Sequence, residues 1–236
     1  MNYELIKNLT TKCPSGTLIN GQDNFKISSI INEIDKSEYN ISVENGYILV
    51  TNKFFDNQKK FISLSSHIDN VYNNCFCNID NEFLRGTFDN SLTNYAMLDC
   101  IRNLKQKQII YIFTDNEELN NSTIINVSLL KNNNFLFNVC LDVTPYCHYT
   151  HVATIENDYY GLNKIKNKKV AYIQPYQSMN DESNFLQTKN VKSFSFCVTC
   201  DFSENRCHSE NGGIISIKKY KAYIKMLKKL LNDIIF

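Results

Sequence analysis

The sequence predicts an α/β fold, a three-layer α/β/α sandwich whose central sheet is mixed and mostly parallel. Three observations predict it. From about residue 61 onward, strand-like and helix-like segments alternate, the pattern that builds a largely parallel sheet flanked by helices. The strand segments 109–114 and 135–141 are apolar on both faces, as a sheet covered on both sides requires. The chain closes on an amphipathic helix, in which Tyr220, Tyr223, Ile224, Leu227, Leu230, Leu231 and Ile234 make one apolar stripe and six lysines take the rest of the surface.

Taken in order, residues 2–8 are expected to form a short helix that stops near Pro14, Ser15 and Gly16. A second helix is expected over 24–34, where Ile27, Ile30, Ile31 and Ile34 recur at helical spacing. Two strand-like runs, 41–43 and 47–50, flank Asn45-Gly46, a hairpin signal because both residues tolerate positive φ. A buried strand over 61–65, a helix over 90–104, a strand over 109–114, a helix over 122–130 and a buried strand over 135–141 follow. Residues 170–174 and 194–198 add two more strands. The three prolines and seven glycines are scattered and no repeat or linker interrupts the pattern, so residues 1–236 are expected to form a single domain.

Composition narrows the function classes. A chain of 236 residues can bury a sizeable core. Hydrophobic residues at 43% and charged residues at 21% fit a soluble globular protein. A net charge of +1 provides no whole-protein field toward nucleic acid or an anionic membrane. Asparagine runs such as 132–134 are solvated loops. No apolar run is long enough for a transmembrane helix, and residues 1–12 hold no apolar stretch of signal-peptide length. Nine cysteines, an odd number in a long chain, argue for reduced thiols. The expected location is the cytoplasm.

In sheets of this kind, chemistry sits beyond the carboxyl ends of the strands. Those ends carry acidic residues and histidines. Ser66-His67-Ile68-Asp69 follows the strand at 61–65, and Asp115-Asn116-Glu117-Glu118 follows 109–114. Asp142 follows 135–141, Gly86-Thr87-Phe88-Asp89-Asn90 opens the helix at 90–104, and Cys207-His208-Ser209 lies downstream of 194–198. Singly, each has an ordinary reading: an aspartate before a helix caps it, an acidic pair in a turn is solvated, and a histidine after a strand is a hydrogen-bonded structural residue. Together they crowd carboxylates that repel unless a cation neutralises them. Mixed imidazole and carboxylate donors suit zinc, and also cobalt or manganese. Asp69, two positions past His67 in extended chain, points to the same side and can reach the ring nitrogen that a metal would leave free. Glu117 and Glu118 are neighbours whose side chains point apart, so one can bind metal while the other faces a water.

These motifs, with Leu141-Asp142-Val143-Thr144 and Arg206-Cys207-His208-Ser209, resemble in order those of the co-catalytic zinc exopeptidases. That superfamily includes single-domain leucyl-type aminopeptidases, large oligomeric glutamyl-type aminopeptidases, and the dipeptidase and carboxypeptidase group. Pro14-Ser15-Gly16 and Asp181-Glu182-Ser183-Asn184-Phe185 are weaker landmarks of the same resemblance. It implies two divalent ions, zinc first. His67 and Asp142 would bind one, Glu118 and His208 the other, and Asp89 would bridge them. It further implies that Asp69 orients His67, that Glu117 is the general base, and that the Asp89–Asn90 peptide is cis. The implied activity is exopeptidase, an aminopeptidase, with a peptide or small amide as substrate and a water activated between the ions. Many relatives carry a lid or oligomerisation domain between the first histidine and the bridging aspartate, or between the third carboxylate and the last histidine. Here those intervals are 22 and 66 residues, too short for a whole domain, so none is expected and the oligomeric state is left open. Ser91, Leu92 and Thr93 stand where relatives place small residues.

Other readings share these residues. N-acyl amino acid deacylases, carboxypeptidase-type amide hydrolases and single-zinc glutaminyl cyclases use the same ligand set. A catalytically inactive relative could bind peptides, although Glu117 beside a complete ligand set favours activity. Arg206 is a candidate for holding a substrate carboxylate. Cys197-x-x-Cys200, with Cys207, His208 and Cys75-x-Cys77, could form a structural zinc site; the position of Cys197 within an apolar strand pattern favours buried thiols instead. His148 and His151 are read as loop histidines.

Overall fold

The computed structural model describes residues 1–145, 151–163, 165–177, 180–202 and 207–234. The chain opens with α1 (Tyr3–Leu9) and α2 (Phe25–Asn32), each started by an asparagine whose side-chain oxygen accepts a first-turn N–H, Asn2 from Leu5 and Asn24 from Lys26. Next come β1 (Tyr39–Glu44), β2 (Tyr47–Asn52), β3 (Phe61–His67), β4 (Cys77–Ile79), β5 (Phe83–Gly86), α3 (Ser91–Leu104), β6 (Ile109–Thr114), β7 (Phe135–Cys140), β8 (Val143–Thr144), β9 (Ala153–Glu156) and β10 (Val170–Tyr172). Then α4 (Glu182–Thr188), β11 (Ser193–Thr199), β12 (Asp201–Phe202), β13 (Gly213–Ser216) and α5 (Ile217–Ile234) complete the described elements.

The main sheet runs β1-β2-β6-β3-β7-β11-β9-β10, with β8 alongside β11. Its centre is parallel, β6 to β3 to β7 to β11, while β1, β2 and β9 join antiparallel. This is the mixed, mostly parallel sheet expected. Period-two alternation divides β6 between two cores: Ile109, Tyr111 and Phe113 face the large core with α1, α2, α3 and α5, and Ile110 and Ile112 face a smaller one with Ile124, Val127, Leu130 and Leu186. Helical layers therefore cover both faces. The stripe of α5 is buried as expected, with Tyr220, Tyr223, Leu227, Leu230 and Leu231 fully enclosed. No described helix is long and apolar enough to cross a membrane.

The Asn45-Gly46 hairpin forms, with Glu44 opposite Tyr47. Gly46 has φ +95°, and a Cβ there would lie 2.4 Å from the Thr123 side chain. Only glycine accepts both conditions.

Three features differ from the sequence expectation. Residues 122–130 form two 3₁₀ turns, Thr123–Asn126 and Ser128–Lys131, parted by extended Val127. The β-branched run Thr123, Ile124, Ile125 and Val127 has weak helix propensity, and the Thr123 hydroxyl is taken by the Gly46 and Asp115 carbonyls. A second sheet, β12-β13-β5-β4, also forms; its strands of two to four residues are too short to show a periodic signal. Finally, β8 and β9 join the main sheet beside β11 and α4 forms over Glu182–Thr188, none of them expected from sequence.

Candidate metal centre

Side chains from five segments meet beyond the carboxyl ends of β3, β6 and β7, the fifth being the segment before β13 that carries His208. His67 ends β3 and pairs in register with Thr114 of β6. Asp69, Glu117 with Glu118, and Asp142 follow β3, β6 and β7, and Asp89 precedes α3. Asn90 locks two of these segments together, its Nδ2 donating to the Leu141 carbonyl at 2.9 Å. The Asp89–Asn90 peptide is cis.

Two groups of three donor atoms result: His67, Asp89 and Asp142, and Asp89, Glu118 and His208. His67 Nε2 lies 3.1 Å from Asp89 Oδ1 and 3.7 Å from Asp142 Oδ1. His208 Nε2 lies 3.1 Å from both Asp89 Oδ2 and Glu118 Oε2. Asp89 thus turns one oxygen to each group. Tetrahedral zinc with ligand bonds of about 2.0–2.1 Å puts neighbouring donor atoms about 3.3 Å apart; the three 3.1 Å separations lie close to that edge, and the His67–Asp142 separation of 3.7 Å is wider. Asp89 Oδ1 and Glu118 Oε1 are buried without a hydrogen-bond partner. Buried oxygens of this kind are costly unless something satisfies them, and a cation between the donors would do so. The donor set and the orphaned oxygens therefore fit a pair of divalent ions.

The electrostatics agree. Burial, with repulsion from Asp142, Asp89 and Glu118, pushes the Glu117 carboxyl up to about 9 against the pull of His67. Burial and the charge of Asp89 lift Asp142 to about 7, and burial raises Glu118 as well. Burial resists charge on Asp89, yet His208 and His67 hold it well below the usual carboxylate range. Bonds to Asp89 and Glu118 push His208 up to about 11. For His67, burial opposes the charge, and Glu117, Asp142, Asp69 and Asp89 outweigh it, so its pKa lies well above the ordinary value. The cluster balances its charge only by keeping protons, which a bound cation would replace.

Glu117 Oε2 stands 4.0 Å from His67 Nε2 and belongs to neither donor group. Asp69 faces His67 Nδ1 with Oδ1 at 3.5 Å, and its own carbonyl is nearer at 3.1 Å. Its carboxylate also accepts from Ser15 Oγ at 2.6 Å and from the Glu117 and Glu118 N–H groups at 3.3 and 3.2 Å. One carboxylate therefore fixes both the histidine and the acidic turn. Asp115 secures the segment around Ser15, accepting from the Gly16 and Leu18 N–H groups at 2.9 and 2.8 Å. Sequence reasoning noted Pro14-Ser15-Gly16 only as a landmark, because a contact spanning 54 residues leaves no local signal.

The cleft in front of these groups has a volume of about 140 Å³. Its lining also includes Asn120, Thr144, Glu156, Asn180, Asp181 and Cys197. None of the six was singled out from sequence as a cleft residue, Thr144 and Asp181 having been noted only within motifs of the resemblance and Cys197 as a thiol. Asp181 also caps α4, its Oδ1 accepting from the Ser183 N–H at 2.8 Å. Among the described residues no cysteine sulfur joins a group of donor atoms that could hold a metal, and the described cysteines are unbridged. The alternative cysteine-based zinc site is therefore not formed among the described residues. His151 is not among the residues lining the cleft. Arg206 and His148 lie outside the described residues.

The fold is similar to that of several solved peptidase structures. The solved structures it is similar to include the TET1 peptidase of Pyrococcus horikoshii, 12% identical, with a TM-score of 0.66 over 96% of this chain and 98% of that one. An aminopeptidase from the archaeon Desulfurococcus kamchatkensis is 11% identical, with a TM-score of 0.67 over 96% and 93%. A dinuclear metal-binding peptidase of the M20 family from Bacillus subtilis is 10% identical, with a TM-score of 0.63 over 96% of each chain. At such identities the likeness establishes the fold. No protein-family model and no curated protein sequence matches the chain.

Proposed function

We propose that residues 1–236 form one catalytic domain of a metal-dependent exopeptidase, an aminopeptidase acting on a free peptide amino terminus. The observation that carries this reading is Asp89, one carboxylate shared between the His67–Asp142 pair and the Glu118–His208 pair, with Glu117 beside both and outside either donor group. His67 and Asp142 would hold one ion, Glu118 and His208 the other, and Asp89 would serve both. Two divalent ions, zinc or else cobalt or manganese, would supply polarisation of the scissile carbonyl and a lowered pKa for the attacking water.

The protein's own groups do the rest. Glu117 takes the proton of the attacking water and hands it to the departing amine, a role suited to a carboxylate that stands beside both donor groups and belongs to neither. Asp69 keeps His67 oriented and holds the backbone of Glu117 and Glu118 in place. Glu156 and Asp181 add two carboxyl groups to the cleft lining beyond the donor set, and among the described residues no lysine or arginine lines it. That balance favours capture of a terminal amine over a terminal carboxylate. The neighbouring structures called aminopeptidases support the same choice. Unbridged thiols support a reducing compartment such as the cytoplasm.

The test is hydrolysis of aminoacyl p-nitroanilides, beside N-acyl amino acids, with zinc, cobalt or manganese added. Turnover of the free-amine substrates is expected. In Glu117→Gln, kcat should fall roughly 10²–10⁴-fold with metal content unchanged. Equal turnover in the two proteins would remove the general-base role, and cleavage of N-acyl substrates alone would make the chain a deacylase.

A further inference from the structure

We propose that Tyr72 and Glu210 are positioning residues for His208, tying the loop that leaves β3 to the segment that enters β13. The inference rests on the metal reading above and assigns a task to residues outside the donor set.

His208 differs from the other donors. His67, Asp89 and Glu118 have side chains at most 6% exposed, whereas His208 is 55% exposed and lies on no helix or strand. Its orientation must come from whatever grips its backbone. Two contacts do so, both from residues 72–74. The hydroxyl of fully buried Tyr72 donates to the carbonyl of Cys207, the residue before His208, across 135 positions of sequence. On the other side of His208, the Glu210 carboxylate accepts the Asn73 N–H at 2.8 Å and the Asn74 N–H at 3.3 Å.

The gripping loop is itself fixed. Asn70 donates its N–H to the Cys13 carbonyl at 2.9 Å and its side-chain amide to the Thr11 carbonyl at 3.0 Å. Downstream, Gly212 with φ +68° passes so close to β5 that a Cβ would sit 2.5 Å from the Gly86 carbonyl oxygen. His208 is thus held between a two-point clamp and a tight turn. The Tyr72 bond is buried and unshared with water, while the Glu210 bonds are at the surface, so Tyr72 carries the larger part. Orienting partners of this kind typically change metal affinity roughly 10–100-fold when removed.

The test is calorimetric titration of Zn²⁺ and Co²⁺ into the metal-free full chain, comparing wild type with Tyr72→Phe and Glu210→Ala. Wild type should take two ions. Tyr72→Phe should bind the first with unchanged affinity and the second roughly 10–100-fold more weakly. Excess metal should then restore its turnover, because the ring still packs. Glu210→Ala should show a smaller loss confined to the second ion, and it carries the test if Tyr72→Phe does not fold. Unchanged second-ion affinity in both variants, or equal weakening of both ions with a lowered melting temperature, overturns the clamp. A wild-type chain that takes up fewer than two ions overturns instead the metal reading on which the clamp rests.

Discussion

Asp69 shows how much one side chain can organise. Its carboxylate faces His67 Nδ1, takes the Ser15 hydroxyl, and accepts both N–H groups of the Glu117–Glu118 turn. Each bond is to an anion and therefore stronger than a neutral one, and together they keep the carboxyl below its ordinary range although burial opposes this. Asparagine at this position keeps the volume but replaces one acceptor oxygen by a donor, which would confront either the Ser15 hydroxyl or the backbone N–H groups. Asp69→Asn is therefore expected to weaken uptake of both ions, roughly 10–100-fold, measured by titration into the metal-free protein; unchanged affinity would reduce Asp69 to a packing residue. Of the residues that meet in the cleft, His67, Glu117, Glu118 and Asp142 were legible in sequence because they follow strongly apolar strands, whereas Asp89 and His208 stood out only through the resemblance of their motifs. Ser15 and Tyr72 were not legible as contributors, since their partners lie 54 and 135 positions away, and Asp181 read as a landmark because its N-cap position hides its second place in the cleft wall.

At the scale of elements, the β1–β2 hairpin supports the centre from outside it. The Gly46 carbonyl receives the Asp115 N–H at 3.0 Å and the Thr123 hydroxyl, so the turn braces the segment that presents Glu117 and Glu118. Gly46→Ala places a methyl group 2.4 Å from the Thr123 side chain and an L side chain at φ +95°. A loss of about 1–3 kcal/mol is expected from the backbone alone, read by chemical denaturation, and weaker metal uptake should accompany it as Thr123 is displaced. A variant as stable as wild type would mean that the hairpin and the acidic turn are not coupled. The elements that the sequence shows well are those with a full period of pattern: the central strands, α3 and α5. Strands β4, β5, β12 and β13 escaped because two to four residues cannot display alternation, and 122–130 misled because its apolar spacing suits a helix while its β-branched residues and the tertiary bonds of Thr123 do not.

For the whole molecule, the crowded cleft sets a pH dependence of folding that metal should abolish. Asp142 is raised from 3.8 to about 7, Glu117 from 4.5 to about 9, and His208 from 6.5 to about 11. Each group holds its proton in the folded chain over a range where the unfolded chain has released it. Stability contributed this way is complete below the unfolded value and is lost as pH rises toward the folded one. At least two of the three ranges overlap everywhere from pH 4.5 to about 9, so the losses accumulate there. Asp89, held low by His208 and His67 although burial opposes it, acts with the opposite sign and only in acid, where its contribution fades as pH falls below the ordinary carboxylate value. Lys26, lowered by burial, also opposes the trend, whereas His67 and Glu118, both raised, act with it. The metal-free chain should therefore melt at progressively lower temperature as pH is raised from 5 to 9. Divalent ions displace the same protons and bind only the folded arrangement, so added zinc should raise the melting temperature most at the alkaline end and flatten the profile. Scanning calorimetry of the chelated and zinc-loaded protein across that range reads both effects. A metal-free melting temperature that stays level or climbs with pH would mean that the carboxylates and imidazoles of the cleft do not share the strained charge balance the structure gives them.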